Sequence, residues 1–345
     1  MSPAAEVSPA GGGTGRMRAA LVTAHGGPEN LEYGWAPVPE PPPGWIRVRV
    51  LACALNMLDV FVRRGMPGVH LDLPHIPGGD VVGTVDALGD QAGGPAFGTM
   101  VLLDPSVNRK ALGEDLPGGL AEYVVAPAAN AIPLDVPAAD APRYAALPIA
   151  YGTALRMLAD RAQLAAGETV VVLGAAGGVG VACVQLAKAM GARVIACSSS
   201  SAKLDQLAAL GADDLVNTSA GEFGSQVWNL TGRTGADVVV DYLGADTWPQ
   251  SIRAVRRGGR LVTCGASTGF LAQTDLRYVW TRELSILGSD GWSRSDLIEL
   301  VRQVSSGDLA PVIHDVLPLS RVRDAVAELE ERRAVGKLVV VPDAC

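Results

Sequence analysis

The feature that most constrains the fold is a glycine-rich loop between a buried strand and a helix. The apolar run Thr169-Val-Val-Val-Leu173 predicts the strand, and the helix is predicted from Gly178 to Met190. Glycines let the backbone approach a pyrophosphate closely, and a helix N-terminus offers free N–H groups and a partial positive charge. This context favours a dinucleotide-binding loop over a turn without a ligand. Its candidate binding residues are Gly174, Ala176, Gly177, Gly178, Val179 and Gly180.

The half of the chain around this loop alternates between strands and helices. Further strands are predicted at 192–197, 237–241 and 260–264, and further helices at 202–210 and 295–305. Alternation of this kind predicts a parallel sheet with helices on both faces.

The first half of the chain has a different pattern, with short β runs separated by Pro-rich turns. Arg47 to Leu51 alternates as a half-buried strand should, and turns are predicted at 39–44 and 77–79. We therefore expect a compact β lobe here, and the length of 345 residues suits two domains.

Composition limits the classes of function. The net charge is -8 and no run of Lys or Arg stands out, so nucleic acid and membranes are poor candidate partners. The longest apolar stretch, around 170–189, is broken by glycines and does not predict a membrane span. The five cysteines form no C-x-x-C pair, and their odd number argues against a disulfide framework, which favours a cytoplasmic setting. Residues 1–16 are predicted to be a disordered tail without a signal peptide.

The end of the second strand indicates which dinucleotide is bound. It reads Ser198-Ser-Ser-Ser-Ala-Lys203, and the first acid after it is Asp205. An NAD site usually has an acid here to accept from the ribose 2′-hydroxyl. Hydroxyls and an ammonium instead suit a 2′-phosphate, at roughly 1.5–3 kcal/mol per hydrogen bond to a charged group. We therefore expect NADPH, with contacts from Ser199, Ser200, Lys203 and Asn217. The alternative is that the serines cap a helix and Lys203 is a surface residue.

Several more motifs are spread along the chain: residues 54–65, Pro77-Gly-Gly-Asp80, Gly118 to Tyr123, Thr153, and Gly336-Lys337-Leu-Val-Val. With the glycine loop, they resemble the medium-chain dehydrogenase/reductase superfamily over nearly all of the chain from Met17. The resemblance implies an α/β chain with a GroES-like β lobe for the substrate, at 17–140 and 311–345. It also implies a Rossmann lobe with a doubly wound parallel sheet for the cofactor, at 141–310, and a C-terminal strand that returns to the first lobe.

This chain differs from the zinc alcohol dehydrogenases of the superfamily at the positions of the metal ligands. The resemblance places Asn56 at a zinc-binding Cys, Gly79 at a zinc-binding His, and the third ligand near Ala145. None of these residues is a normal zinc ligand. The four-cysteine structural zinc loop would follow Asp104, and residues 105–117 contain no Cys. We therefore expect no metal.

The pattern Asn56-x-x-Asp59-x-x-x-Arg63-x-Gly65 resembles the zinc-free quinone oxidoreductase branch. In that branch a hydride passes from the nicotinamide to a quinone or an activated C=C bond. Without a Lewis acid, the developing enolate oxygen needs hydrogen-bond donors. The Asn56 amide is one candidate. Tyr151 is another, because Phe61 stands near a position where these reductases often carry a Tyr.

A structural role for the same residues remains open. Asn56 can be a helix N-cap with Asp59 in the favourable first turn. Asp59 and Arg63 can form an i,i+4 pair worth roughly a few tenths of a kcal/mol.

The resemblance also implies contacts for four residues nearer the cofactor. Thr153 would lie against the nicotinamide, Gly265 and Ala266 would lie at a strand end beneath the cofactor, and Lys337 would approach it from the C-terminal segment. For each single position, ordinary strand or turn geometry is the alternative.

These expectations combine into a zinc-independent, NADPH-dependent reductase that acts on a small quinone or enone. Two alternatives remain: a carbonyl, imine or alcohol oxidoreductase of secondary metabolism, and a non-catalytic NADPH-binding sensor. Segment 278–288 has strand-like alternation after Thr281. Because the corresponding region joins the sheets of two subunits in relatives, a homodimer is expected.

Overall fold

The computed structural model describes residues 15–66 and 70–344. Most of the predicted tail, residues 1–14, lies outside the described residues, and the first strand already begins at Arg16. The first half contains β1 (Arg16–Val22), β2 (Leu31–Pro37), β3 (Trp45–Ala54), α1 (Met57–Arg64), β4 (Asp80–Leu88), β5 (Met100–Leu103), β6 (Ser106–Val107), β7 (Lys110–Ala111), β8 (Tyr123–Pro127), β9 (Ala131–Pro133), α2 (Ala141–Ala145) and α3 (Thr153–Leu155). The second half contains β10 (Thr169–Val172), α4 (Gly178–Ala189), β11 (Arg193–Ser198), α5 (Ser201–Ala209), β12 (Asp214–Asn217), α6 (Phe223–Leu230), β13 (Ala236–Val240), α7 (Trp248–Ala254), β14 (Val255–Thr263), α8 (Leu276–Arg282), β15 (Ser285–Gly288), α9 (Arg294–Ser306), β16 (Ile313–Pro318), α10 (Val322–Glu330) and β17 (Lys337–Val341).

The second half of the chain builds the predicted parallel sheet. Its six strands have the order β12-β11-β10-β13-β14-β15, and every neighbouring pair is parallel. The central strand β10 is buried on both faces at Val170, Val171 and Val172, which explains its continuous apolar run. This strand order is that of the Rossmann fold, and it places the glycine loop where the order of the strands reverses.

The first half, together with β16 and β17 from the end of the chain, builds a second sheet of largely antiparallel strands. Its main path is β16-β17-β3-β4-β5-β9, with β8 paired to β3. The C-terminal strand β17 pairs antiparallel with β3, so the chain end does return to this lobe. The α/β fold with a GroES-like lobe and a Rossmann lobe is thereby confirmed, while the exact boundaries at residues 140 and 310 remain predictions.

A helical segment at residues 141–161 connects the lobes. Its regular turns, α2 and α3, alternate with π-helical turns at Leu147–Gly152 and Arg156–Arg161. Such π turns are rare and occur often at functional sites. Trp292 packs where a side chain at Gly152 would lie, and its Nε1 donates to Asp104 Oδ1 at 3.0 Å. The turn that carries Thr153 is therefore held from both lobes.

Among the helices of the described ranges, none has the length and apolar character needed to cross a bilayer.

Candidate active site

The glycine loop after β10 has a conformation that favours glycine at one position and requires it at another. Gly174 has a φ of +60°, in the left-handed region. A Cβ on Gly180 would lie 2.4 Å from the Gly174 oxygen, so a side chain there would overlap the loop itself. The Tyr242 hydroxyl donates to the same Gly174 oxygen at 2.8 Å. Contacts within the protein therefore set the shape of the loop.

The two middle glycines have different surroundings. A Cβ on Gly177 would meet no protein atom closer than 3.5 Å, so packing within the protein does not require glycine there. A Cβ on Gly178 would lie 2.9 Å from Lys337 Cδ, because the lysine stem crosses the start of α4 at this point. Gly177 is the N-cap residue of α4 and supplies no side-chain cap, which leaves the first helical N–H groups available to an anion. The loop thus fits a pyrophosphate beside Gly177, Gly178, Val179 and Gly180.

The end of β11 lies beside the end of β12, where Ser198 is opposite Asn217. We call Ser199 and Ser200 the strand-end serines. Neither hydroxyl makes a hydrogen bond to another residue within the described part of the chain, so both can bind a ligand. The Asn217 side chain is already engaged: its Nδ2 donates to Ser201 Oγ at 3.0 Å and its Oδ1 accepts from Ser219 N at 2.9 Å. Asn217 therefore bonds within the protein at the ends of these two strands.

Lys203 lies in a different environment from the one the sequence predicted. Its ammonium donates to the carbonyl oxygens of Arg332 and, at 2.9 Å, Ala334. Partial burial lowers the pKa of Lys203. The ammonium thus joins α5 to the C-terminal segment, and binding of a phosphate by Lys203 requires these bonds to rearrange.

A buried group of polar side chains lies between the lobes. We call Asn56, Asp59, Asp80 and Lys337 the interlobe cluster. Lys337 Nζ donates to Asn56 Oδ1 at 2.5 Å and to Asp80 Oδ2 at 3.0 Å, and Asn56 Nδ2 donates to Asp80 Oδ2 at 2.8 Å. The other Asp80 oxygen accepts from Ile149 N at 2.8 Å. Asp80 and Lys337 are 0% and 2% exposed, so this ion pair is shielded from water.

The cluster shows what two of the sequence-predicted residues, Asn56 and Lys337, contact within the protein. Lys337 points its ammonium at Asn56 and Asp80, so only its stem and backbone approach the glycine loop. Both ends of the Asn56 carboxamide bond within the protein, which argues against Asn56 as a free donor to a substrate. Asn56 is instead the N-cap residue of α1, as the structural alternative had it.

Asp59 and Arg63 do not form the helix pair considered from the sequence. Asp59 accepts from Asn56 N at 2.7 Å and from Gly78 N at 2.8 Å, which ties the start of α1 to the neighbouring loop. Burial raises the pKa of Asp59 to about 6. Arg63 is buried and lies 2.6 Å from a Glu330 oxygen on α10.

The two candidate hydroxyls differ in their availability. Tyr151 is fully buried; it donates to Gln185 Oε1 at 2.7 Å and accepts from Val312 N at 3.0 Å. Burial also raises the pKa of this phenol. Its one proton is therefore committed, and the position does not support a role as the substitute phenolic donor. The Thr153 hydroxyl makes no hydrogen bond to another described residue, and it remains the better candidate donor.

Two adjoining cavities open at the carboxyl ends of β14 and β15. The larger, about 740 Å³, is lined in part by Cys264, Gly265, Ala266 and Ser289. The smaller, about 250 Å³, lies between α1 and the loop after β14, and its lining includes Phe61, Met66, Ala266 and Phe270. Ala266 borders both cavities, so the predicted pair of Gly265 and Ala266 lies at the strand end where the lobes meet.

The positions that zinc ligands would occupy are filled by packing. A Cβ on Gly79 would lie 2.9 Å from both Ile149 Cδ1 and the Leu112 oxygen, so a ligating side chain has no room there. Ala145 is fully buried in the apolar core. Across residues 15–66 and 70–344, no group of three or more His, Cys, Asp or Glu side chains is placed to hold a metal ion. These residues do not fit a zinc site.

Comparison with known proteins places the chain. A model described as an alcohol dehydrogenase GroES-like domain matches residues 42–137, and one described as a zinc-binding dehydrogenase matches residues 178–306. The chain belongs to the medium-chain dehydrogenase/reductase family, in its quinone oxidoreductase-like branch. It is thus an oxidoreductase by family.

Individual relatives cover nearly the whole chain. The human quinone oxidoreductase is 29% identical over 94% of this chain and 98% of its own. A crystal structure described as that of an NAD-dependent alcohol dehydrogenase is 42% identical, with a TM-score of 0.88 over 95% of this chain and 100% of its own. The structure of a 2-octenoyl-CoA carboxylase reductase in complex with NADP and 2-octenoyl-CoA is 27% identical, with a TM-score of 0.86 over 95% and 88%.

Sequence reasoning missed two residues of the site, Asp80 and Tyr242. Asp80 was noticed only as part of a motif, although an acid that opens the apolar strand Asp80-Val-Val is a signal for a buried, paired charge. Tyr242 follows a buried strand, but its bond to the Gly174 oxygen depends on packing that no local pattern reveals.

Proposed function

We propose that this protein is an NADPH-dependent, zinc-independent reductase of activated C=C bonds, such as those of quinones or enones. The observation that carries the proposal is the packing at Gly79, because the place of a metal ligand is filled by Ile149 and Leu112. The name of the human relative, quinone oxidoreductase, supports the acceptor class.

The choice of NADPH is supported by the strand-end serines and by the relative solved with NADP. No acid lies between Ser198 and Lys203, so nothing on this stretch repels a 2′-phosphate. The N-terminus of α4 suits the pyrophosphate, and the two serine hydroxyls suit the 2′-phosphate.

The residues of this chain supply positioning and hydrogen bonding. The bound dinucleotide would supply the hydride. Thr153 is placed by the π-helical turns between the lobes, and its free hydroxyl can donate to an oxygen that gains negative charge. The apolar Phe61 and Phe270 beside the smaller cavity can exclude water from a flat acceptor.

The test is NADPH oxidation, followed by loss of its absorbance, against quinones, enones, aldehydes and ketones, with NADH in parallel. We expect turnover of quinones or enones, a preference for NADPH, and no loss of rate with a zinc chelator. Loss of activity on chelation, or binding of neither dinucleotide, would refute the proposal.

One observation favours a second candidate function. The 42% identical crystal structure is described as that of an alcohol dehydrogenase that depends on NAD. Turnover confined to aldehydes or ketones, with the C=C bond left intact, would identify this chain as a carbonyl or alcohol oxidoreductase.

We also propose that the protein is a homodimer joined at β15. This strand lies at the edge of the parallel sheet, and Ile286 on it is 41% exposed. Trp280 and Leu276 on the adjacent α8 are 64% and 63% exposed, an apolar surface that a second copy can cover. Light scattering should give twice the chain mass, and a monomer mass would refute this.

A further inference from the structure

Lys337 contacts both the dinucleotide loop and the interlobe cluster. Its stem lies over Gly178 at the start of α4, where an added Cβ would lie 2.9 Å from Lys337 Cδ and displace the stem. The residue before it, Gly336, donates its N–H to the Ala176 oxygen of the loop at 3.0 Å. At the far end of the stem, the ammonium binds Asn56 and Asp80. One side chain thus spans from the loop to the start of α1.

The two partners of the ammonium, Asn56 and Asp80, connect it to three separate elements. Asn56 caps α1, Asp80 opens β4, and the second Asp80 oxygen accepts from Ile149 in the π-helical turn just before Thr153. A shift of the lysine stem at Gly178 therefore acts on both the α1 start and the turn that carries Thr153. Since the pair is buried, its bonds are not weakened by solvent screening.

We propose that Lys337 is a positioning residue that couples occupation of the dinucleotide loop to the geometry of Asn56 and Thr153. This inference rests on the proposed dinucleotide binding. It assigns Lys337 no contact with substrate or cofactor: the ammonium acts through Asp80 and Asn56. Binding at the N-terminus of α4 fixes Gly178, Gly178 fixes the lysine stem, and the ammonium fixes the two side chains beyond it.

The test is hydrogen–deuterium exchange with and without NADPH. In the wild-type protein, we expect NADPH to protect the loop at 174–180 and also peptides that cover 54–60 and 147–153. In Lys337→Met, which keeps the length of the stem and removes the charge, protection of the loop should persist. Protection of the other two segments should fall to the level seen without dinucleotide.

Lys188→Met is the matched control. Lys188 lies on α4, the helix whose start the Lys337 stem crosses, but its ammonium pairs with Asp213 at the surface. We expect this variant to show the wild-type pattern at all three segments.

A second variant keeps the test decisive if Lys337→Met folds poorly. Lys337→Met leaves the buried Asp80 carboxylate without its counter-charge. Adding Asp80→Asn removes that carboxylate, and the freed Asn56 amide can rotate to pair with the amide introduced on β4. A positioning role predicts that thermal stability recovers while the coupled protection stays lost. Recovery of both thermal stability and coupled protection would show that Lys337 serves only as a counter-charge, and it would overturn the inference.

Two results for the wild-type protein are also informative. Protection confined to the loop would overturn the inference and leave the proposed function intact. No protection anywhere, with no binding of NADPH by titration, would overturn the proposed function and the inference that rests on it.

Discussion

The two polar regions of the site differ in what their side chains bind. In the interlobe cluster, the carboxylates, the amide and the ammonium bond to one another or to backbone N–H groups. At the end of β11, the strand-end serines have hydroxyls with no hydrogen-bond partner among the described residues. The fold therefore fixes the first region by itself, whereas the hydroxyls of the second region stay open to the proposed dinucleotide. Mutations in the first should change stability, and mutations in the second should change binding.

The largest effect should follow from Asp80→Ala. The substitution leaves the Lys337 ammonium buried without its counter-charge and removes the acceptor for Ile149 N. We expect the free energy of unfolding to fall by about 3–5 kcal/mol, the usual cost of a broken buried ion pair. Urea denaturation measures it.

Asp86→Ala is the control on the same strand. Asp86 pairs with Arg47 but is partly exposed. Its loss should cost about 1 kcal/mol or less. Equal losses for the two variants would show that the interlobe pair is no more than a surface pair in energy.

The change in the free energy of unfolding that the titration of Asp59 causes should be nearly as large as the effect of Asp80→Ala. Its folded pKa of about 6 lies above the ordinary 3.8, so the folded state binds the proton more tightly. The contribution of Asp59 to the stability of the folded state is therefore greatest below pH 4 and is lost as the pH rises through about 6. From well below pH 4 to well above pH 6 the total loss in the free energy of unfolding is about 3 kcal/mol, at 1.36 kcal/mol per pKa unit.

Because other acids titrate in the same range, Asp59→Asn is the reference. Its unfolding free energy should lack this fall with rising pH, although the amide leaves one of the N–H groups of Asn56 and Gly78 without an acceptor. If the wild-type and variant curves run parallel from pH 4 to 7, the Asp59 carboxyl titrates normally.

The sequence predicted the interlobe cluster and the strand-end serines to different extents. Apolar runs and the glycine loop located β10 and α4, because these patterns are local, and the resemblance implied β17. The resemblance found Asn56 and Lys337 but did not reveal the bond between them, since it joins residues 281 positions apart. Their contacts with substrate and cofactor stay predictions. The strand-end serines needed only local sequence, and their ligand is still a proposal. For Lys203 the sequence did not reveal the partners within the protein, because the carbonyls of Arg332 and Ala334 come from a distant segment. Its contact with the 2′-phosphate stays a prediction.

Cofactor choice should change at the strand-end serines without a change in stability. Ser199→Asp places a carboxylate where we expect the 2′-phosphate. We expect NADPH to bind more weakly by about 1.5–3 kcal/mol, roughly 10- to 150-fold, and NADH to bind no more weakly than before. Fluorescence titration of both dinucleotides measures this.

Ser199→Asn is the neutral control of the same size. It should retain most of the affinity for NADPH, because it adds no negative charge. If Asp and Asn have the same effect at this position, the phosphate does not bind beside Ser199.

The smallest effects should distinguish Gly180 from Gly177 in the same loop. Contacts within the protein surround Gly180, whereas Gly177 is left open to a ligand, so the two glycines repeat the contrast between the two regions. Gly180→Ala forces a Cβ onto the Gly174 oxygen, so we expect a loss of about 1–3 kcal/mol in the free energy of unfolding. Gly177→Ala meets no protein atom closer than 3.5 Å, so stability should be unchanged while the affinity for NADPH falls. Thermal unfolding and dinucleotide titration of both variants test this. Unchanged NADPH binding by Gly177→Ala would place the pyrophosphate elsewhere on the loop, because the open side of Gly177 is where the structure leaves room for it.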